Sequence, residues 1–297
     1  MKRGTLLLLL LASVVGFAFF RNEIPVEADL ADGQLLIKTE KKDINLDARA
    51  AILLDGQTGE VMYSQNADAP YPVASMSKMM TEYVLLEAIK EQRVDWTDEI
   101  PVSGNASAAG GAKVNLVEGK TYPLRDLYEA MAIGSANNAA VAIGEYLAGS
   151  TSAFAEQMNL KAAELNLKSS LFVNATGLAY DYGQNQMTAR EAGMLAYHLI
   201  NDFPDIVSLT AKPYVRLSST KEKVQNTNVM LQAGDQTMRV EGLDGLKTGF
   251  TDEAGYCFTG TAKRGDKRLI AVVMGAESDE ARFLETKKLM EMGFDIE

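Results

Sequence analysis

The chain has 297 residues, 47% of them hydrophobic, enough apolar material for one large core or two smaller ones, which excludes a disordered or fibrous protein. A single His (His198) and a single Cys (Cys257) exclude a multi-His or Cys-rich zinc site and an internal disulfide, and any Ser-His-Asp triad would have to use His198. The formal charge of −11 argues against nucleic acid and against general attraction to anionic lipid or wall polymer, so an anionic substrate must be held by a few local cations.

Lys2 and Arg3 precede an apolar run from Leu6 to Phe20, and the polar Arg21-Asn22-Glu23 follows, which is the layout of a secretory signal. The run is short for a spanning helix. Small residues around Val26-Glu27-Ala28 place the expected cleavage near Ala28, making residues 1–28 a signal peptide; the alternative is an uncleaved N-terminal membrane anchor. Either way the expected location is extracytoplasmic. Residues 29–46, polar and irregular, read as a linker, and the folded domain is expected over 47–297.

Ala50 to Leu54 and Glu60 to Ser64 read as a hairpin around the turn-forming Asp55-Gly56-Gln57-Thr58-Gly59. Met76, Met79, Met80, Tyr83, Leu86 and Ile89 recur at helical spacing and predict a helix over Ser75 to Glu91 with those methionines in the core. Gly104 to Gly111 reads as a loop, and helices are expected over Leu124 to Ile133, Asn137 to Leu147 and Ser152 to Leu165. Phe172 to Asn185 lacks periodicity and reads as an ordered loop covering something. A helix over Thr188 to Ile200 follows, with His198 near its end as a packed or helix-terminal residue. Strands are expected at Tyr214 to Leu217, Val240 to Phe250, Tyr256 to Ala262 and Arg268 to Gly275, and a closing helix at Glu280 to Met292. Strands at both ends of the domain with helices between them predict an α/β (α+β) fold: an antiparallel sheet built from both chain ends, flanked by helices, with a helical insertion over about 72–205.

The chemistry-bearing residues begin at Ser75 and Lys78, which are three apart on one helical face and so form a candidate nucleophile and base. Ser-x-x-Lys alone is weak, because it recurs at Ser218-Ser219-Thr220-Lys221. Ser-x-Asn occurs at Ser64-Gln65-Asn66, Ser103-Gly104-Asn105 and Ser135-Ala136-Asn137, whereas Lys-Thr-Gly occurs once, at Lys247-Thr248-Gly249. Taken singly, a Ser at a helix start is usually an N-cap and the following Lys a solvated residue. The specific signal is the ordered trio: Ser75 and Lys78 at a helix start, Ser135 and Asn137 at a helix junction, Lys247 to Gly249 on a late strand. A lysine base must be neutral, and burial beside a second cation such as Lys247 would lower its pKa.

That trio resembles the active-site set of serine penicillin-binding proteins and class A β-lactamases. The flanking text at Pro72 to Thr81, Phe172 to Leu178, Met187 to Leu195, Asn226-Thr227-Asn228, Gly242 to Thr261 and Arg282 to Phe294 is similar to the D-alanyl-D-alanine carboxypeptidases, the low-molecular-mass penicillin-binding proteins. The resemblance implies a β-lactamase/transpeptidase-like fold and hydrolysis of the terminal D-Ala-D-Ala bond of peptidoglycan stem peptides through an acyl-Ser75. In that scheme Lys78 is the base and Ser135 relays a proton to the leaving amine. Asn137 holds the substrate amide or Lys78, and Lys247 with Thr248 receives the terminal carboxylate. Gly249 lets the substrate backbone lie close, and the N–H groups of Ser75 and Phe250 form the oxyanion hole. Arg190 and Arg282 are secondary candidates, for carboxylate binding or for bracing the cleft, against structural salt bridges. Cys257 is assigned to the core.

The resemblance implies the D-Ala-D-Ala stem peptide as substrate, β-lactams as inhibitors, and no metal or organic cofactor. Two rival functions stand beside it. A β-lactamase of the same fold would need a deacylating Glu four residues before an Asn, but the best match, at Glu164-Leu165-Asn166, has Ala162 at that position. A non-catalytic sensor of peptidoglycan or β-lactams would not need the complete trio. Many family members continue into a β-rich second domain and a C-terminal amphipathic anchor, whereas this sequence stops at Glu297, directly after the closing helix.

Overall fold

The computed structural model describes residues 26–31, 34–39, 44–232 and 237–296, so the expected signal segment falls almost wholly outside the described residues. The chain divides into two units, 1–45 and 46–297. In the first, β1 (Val26–Ala31) and β2 (Gln34–Thr39) pair antiparallel, from Val26 opposite Thr39 to Ala31 opposite Gln34. Residues 29–46 read as an irregular linker, and the paired strands fall partly within that span, at Asp29 to Ala31 and Gln34 to Thr39.

The second unit opens with β3 (Ala50–Asp55) and β4 (Val61–Gln65). The Asp55 carboxylate accepts the N–H groups of Gln57 and Thr58, both at 2.8 Å, and so fixes the hairpin turn. After β5 (Tyr71–Pro72), a 3-10 turn at Ala74–Ser77 leads into α1 (Lys78–Lys90). The helical lobe continues through β6 (Glu99–Pro101), α2 (Gly104–Ala108), β7 (Thr121–Pro123), α3 (Leu124–Gly134), α4 (Asn137–Ala148) and α5 (Thr151–Glu164). Next come β8 (Gln186–Met187), α6 (Ala189–Asp202) and α7 (Ile206–Thr210). The chain then forms β9 (Tyr214–Arg216), β10 (Lys223–Gln225), β11 (Leu243–Thr251), β12 (Gly255–Arg264), β13 (Lys267–Ala276) and α8 (Asp279–Asp295).

The main sheet runs β11-β12-β13-β3-β4, antiparallel at every step, so its strands come from both ends of the domain as expected. β3 is apolar without alternation because both of its faces are covered. On one face Ile52 and Leu54 lie against Gly193 of α6, and on the other Leu53 lies against Gly293 of α8. Helix α1 is buried almost all round from Lys78 to Leu85, which makes it the central rod of the helical lobe, with Met76, Met79 and Met80 in the core.

Two local readings change. The Gly104–Gly111 loop contains the short helix α2, capped by Ser103, whose Oγ accepts the N–H of Ala106 at 2.9 Å; its Gly/Ala/Ser composition carries no apolar period. The regular part of the Ser75–Glu91 helix starts only at Lys78, because Ala74 takes φ +45° and tightens the entry into a 3-10 turn. No helix among the described residues is long and apolar enough to cross a membrane.

Candidate active site

Ser75 sits on the 3-10 turn that ties the sheet to the helical lobe, half-exposed between the buried Ala74 and Met76. Two contacts hold that turn. Ser77 Oγ donates to the carbonyl of Ala74 at 2.8 Å, and strand β11 passes directly against it. A Cβ on Gly249 would lie 2.5 Å from the Val73 carbonyl oxygen and 3.0 Å from the Met76 nitrogen. Gly249 was expected to make room for substrate. One close approach that its Cβ would block is that of the Ser75 turn to the strand, so the glycine is also required for packing.

Lys78 is fully buried one helical step from Ser75. Its Nζ lies 2.9 Å from Ser75 Oγ, 2.6 Å from Asn137 Oδ1 and 2.7 Å from the carbonyl oxygen of Thr176. Burial, and secondly the charge of Lys247, push its pKa well below the ordinary lysine range, against an opposing pull from Glu82. The neutral amine has two N–H donors and one lone pair. Asn137 Oδ1 and the Thr176 carbonyl can only accept, so they take the two protons. The lone pair is left for the Ser75 hydroxyl.

Each acceptor is itself held. Asn137 opens α4, with its N–H donating to the Ala112 carbonyl at 2.7 Å and its Nδ2 to the Gly110 carbonyl at 2.8 Å. The Thr176 carbonyl is aimed by Asn174, whose Oδ1 accepts the N–H of Thr176 (2.9 Å), the hydroxyl of Thr176 (2.8 Å) and the N–H of Gly177 (2.7 Å). Asn185 pins the same loop through Val173, Asn174 and its own Nδ2. The aperiodic stretch Phe172 to Asn185 therefore covers Lys78. Gly177, at φ +84°, is the contact point: a Cβ there would fall 1.9 Å from the Ala74 carbonyl oxygen.

Ser135 ends α3 in the left-handed region (φ +59°), and its buried Oγ has no hydrogen-bond partner among the described residues. A buried hydroxyl left this way costs free energy in the free protein and is available to a bound group. Lys247 is buried on β11 and donates to the Thr248 carbonyl at 3.2 Å; burial lowers its pKa, Glu82 opposes that shift and Arg282 adds to it. Thr248 Oγ1 lies 2.7 Å from Thr227 Oγ1. Phe250, half-exposed, stacks on Tyr256 with ring centroids 4.3 Å apart.

The secondary candidates separate. Arg282 lies behind β11, donating from Nη1 to the Gly249 carbonyl at 3.1 Å and from Nη2 to Asp279, so its guanidinium is engaged with the strand and a neighbouring carboxylate. Arg190 forms a bidentate surface pair with Asp68 at 2.6 and 3.0 Å, and none of its contacts reaches the Lys78 group. His198 packs edge-on against Tyr197, and Cys257 is a buried core thiol. The second Ser-x-x-Lys is a turn: Lys221 takes φ +60°, and the N–H groups of Ser218 and Ser219 donate to Asp126 at 2.9 and 2.7 Å.

A family model described as D-alanyl-D-alanine carboxypeptidase matches residues 37–278. The chain belongs to this family. Among its curated relatives are the D-alanyl-D-alanine carboxypeptidases DacF of Bacillus subtilis, 34% identical over 257 residues, and DacC of Escherichia coli, 35% identical over 256. In each case the match covers 84% of this chain and 62% of the relative, so the chain spans about three fifths of their length. Penicillin-binding protein D2 of Listeria monocytogenes, solved in its ampicillin-bound form, is 39% identical with a TM-score of 0.74, covering 85% of this chain and 99% of that one. Penicillin binding protein 5 of Haemophilus influenzae aligns with a TM-score of 0.79 at 29% identity, covering 86% and 72%. The fold is thus that of the penicillin-binding proteins.

Within this family framework, sequence reasoning assigns no individual role to Glu82, Asn174, Thr176 or Thr227. Glu82 follows Lys78 by one helical turn and is buried, so the i, i+4 spacing alone could have flagged it. Thr176 acts through its backbone carbonyl, for which a side-chain motif has no letter.

Proposed function

We propose that this chain is a serine D-alanyl-D-alanine carboxypeptidase that removes the terminal D-alanine of peptidoglycan stem peptides. The observation that carries this reading is the saturation of Lys78: two of its three neighbours are carbonyl acceptors and the third is the Ser75 hydroxyl, 2.9 Å away. Ser75 Oγ attacks the carbonyl carbon of the penultimate D-alanine while its proton passes to Lys78 Nζ. The N–H groups of Ser75 and Phe250 hold the oxyanion. On collapse the C–N bond breaks, and the leaving amine takes a proton relayed from Lys78 through the Ser135 hydroxyl. Lys247 and Thr248 grip the departing residue's carboxylate. Water then cleaves the acyl-Ser75 ester, regenerating the hydroxyl.

β-Lactams acylate the same oxygen in this scheme. Among the described residues no carboxylate hydrogen-bonds to Ser75 or Lys78, whose neighbours are a hydroxyl and two carbonyls, so the penicilloyl ester is released slowly. The signal-like residues 1–28 support an extracytoplasmic location, where peptidoglycan lies. The test is D-alanine release from diacetyl-Lys-D-Ala-D-Ala, with Ser75→Ala as control. Release by the parent and none by the variant is expected. No release by the parent would sink the proposal.

A further inference from the structure

The turn Asn226-Thr227-Asn228 is built more firmly than a connection between β10 and β11 requires. Asn226 Nδ2 donates to the carbonyls of Thr210 (2.9 Å) and Lys212 (2.8 Å), its Oδ1 accepts the N–H of Asn228 (2.8 Å), and its own N–H donates to the Pro213 carbonyl (2.9 Å). Asn228 Oδ1 accepts the N–H of Met230 at 3.1 Å. Between these anchors the N–H of Thr227 donates to the carbonyl of Ile133 at 3.1 Å, two residues before Ser135. Its hydroxyl meets that of Thr248 at 2.7 Å. Thr227 thus bridges the segment that carries Ser135 and the strand that carries Lys247 and Thr248.

A hydroxyl has one proton and two lone pairs. In this pair each threonine oxygen is the other's hydrogen-bond partner, so either can donate. We propose that Thr227 is a positioning residue for carboxylate recognition, acting through Thr248. In the free enzyme the Thr248 hydroxyl donates to Thr227 Oγ1. When a substrate carboxylate arrives, the Thr248 proton turns to it, and the Thr227 hydroxyl donates to Thr248 Oγ1 in its place. No proton leaves either oxygen; both rotate. The result is a two-hydroxyl chain ending on an anion, in which the bond to the charged acceptor is strengthened by the donor behind it. A neutral C-terminus draws less from the same rotation. This inference rests on the carboxypeptidase reading and names what that site selects for.

The experiment compares kcat/KM for diacetyl-Lys-D-Ala-D-Ala with that for its C-terminal amide, in the parent and in Thr227→Val, Thr227→Ala and Thr227→Ser. The carboxylate-to-amide ratio is expected to fall about tenfold in the Val and Ala variants, mainly through KM, and to stay within about twofold of the parent in the Ser variant. The Ala variant serves if the Val variant does not fold. A ratio unchanged in the Val or Ala variant, including an equal loss with both substrates, would overturn the proposal. Absence of D-alanine release, or of carboxylate preference, in the parent would overturn the carboxypeptidase reading itself, so the two failures are distinct.

Discussion

Lys78 Nζ lies 2.6 Å from Asn137 Oδ1, its shortest contact, although the two residues are 59 apart in sequence. The amide is neutral and can only accept at that atom, so it orients the amine and favours the charged form less than a carboxylate there would. Asn137→Asp keeps the shape and adds a carboxylate, which favours the ammonium. The acid limb of the acylation rate is expected to move up by about 1–3 pH units, with the rate at neutral pH falling about a hundredfold. Stopped-flow acylation by a chromogenic cephalosporin across pH checks this.

Glu82 already supplies a carboxylate of this kind. In its ionised form it raises the pKa of both Lys78 and Lys247, partly offsetting their burial, while burial lifts its own pKa to about 7; Tyr128 also lies in its field. Glu82→Gln removes that support, so more of Lys78 is neutral at a given pH and Lys247 loses its proton sooner. Both limbs of the pH profile of kcat/KM are expected to shift to lower pH, by about one unit. An unchanged profile would show that the carboxyl is protonated throughout, and a shift to higher pH that it acts by another route.

Asn174 shows how the covering loop serves Lys78. Its Oδ1 accepts three donors, and Asn174→Ala leaves them unpartnered in a buried loop. The expected loss is about 2–3 kcal/mol of stability in urea unfolding, together with about a tenfold slower acylation as the Thr176 carbonyl loses its aim.

Gly177→Ala tests the closest backbone approach at the site. The new Cβ would fall 1.9 Å from the Ala74 carbonyl oxygen at a φ of +84°. Destabilisation by about 3 kcal/mol is expected, from left-handed backbone strain and overpacking together, along with displacement of Ser75 and loss of covalent penicillin labelling. A variant of parental stability would mean that the loop moves aside without cost.

The layout of the sheet was legible because its strands carry simple signals. The β12–β13 hairpin is marked by Lys263 to Lys267, and β3 is a short apolar run closed by a turn cluster. Ser75, Lys78 and Asn137 were legible as side chains in an ordered motif, and the structure brings them into one hydrogen-bonded group. Thr176 was not, since its backbone carbonyl is placed by Asn174, and any residue type supplies a carbonyl. Thr227 was visible only as flanking text, because its meeting with Thr248 depends on a turn anchored to Thr210, Lys212 and Pro213. The β1–β2 pairing and helix α2 escaped because elements of only five or six residues leave only local cues.

The central claim is that Ser75 is the oxygen that becomes acylated and Lys78 the group that takes its proton. Intact-mass spectrometry after exposure to benzylpenicillin, followed by peptide mapping, tests it most directly. The account predicts one slowly released penicilloyl adduct per chain, located on Ser75, absent in Ser75→Ala and formed far more slowly in Lys78→Ala. An adduct on another residue, or none on the parent chain, would contradict it.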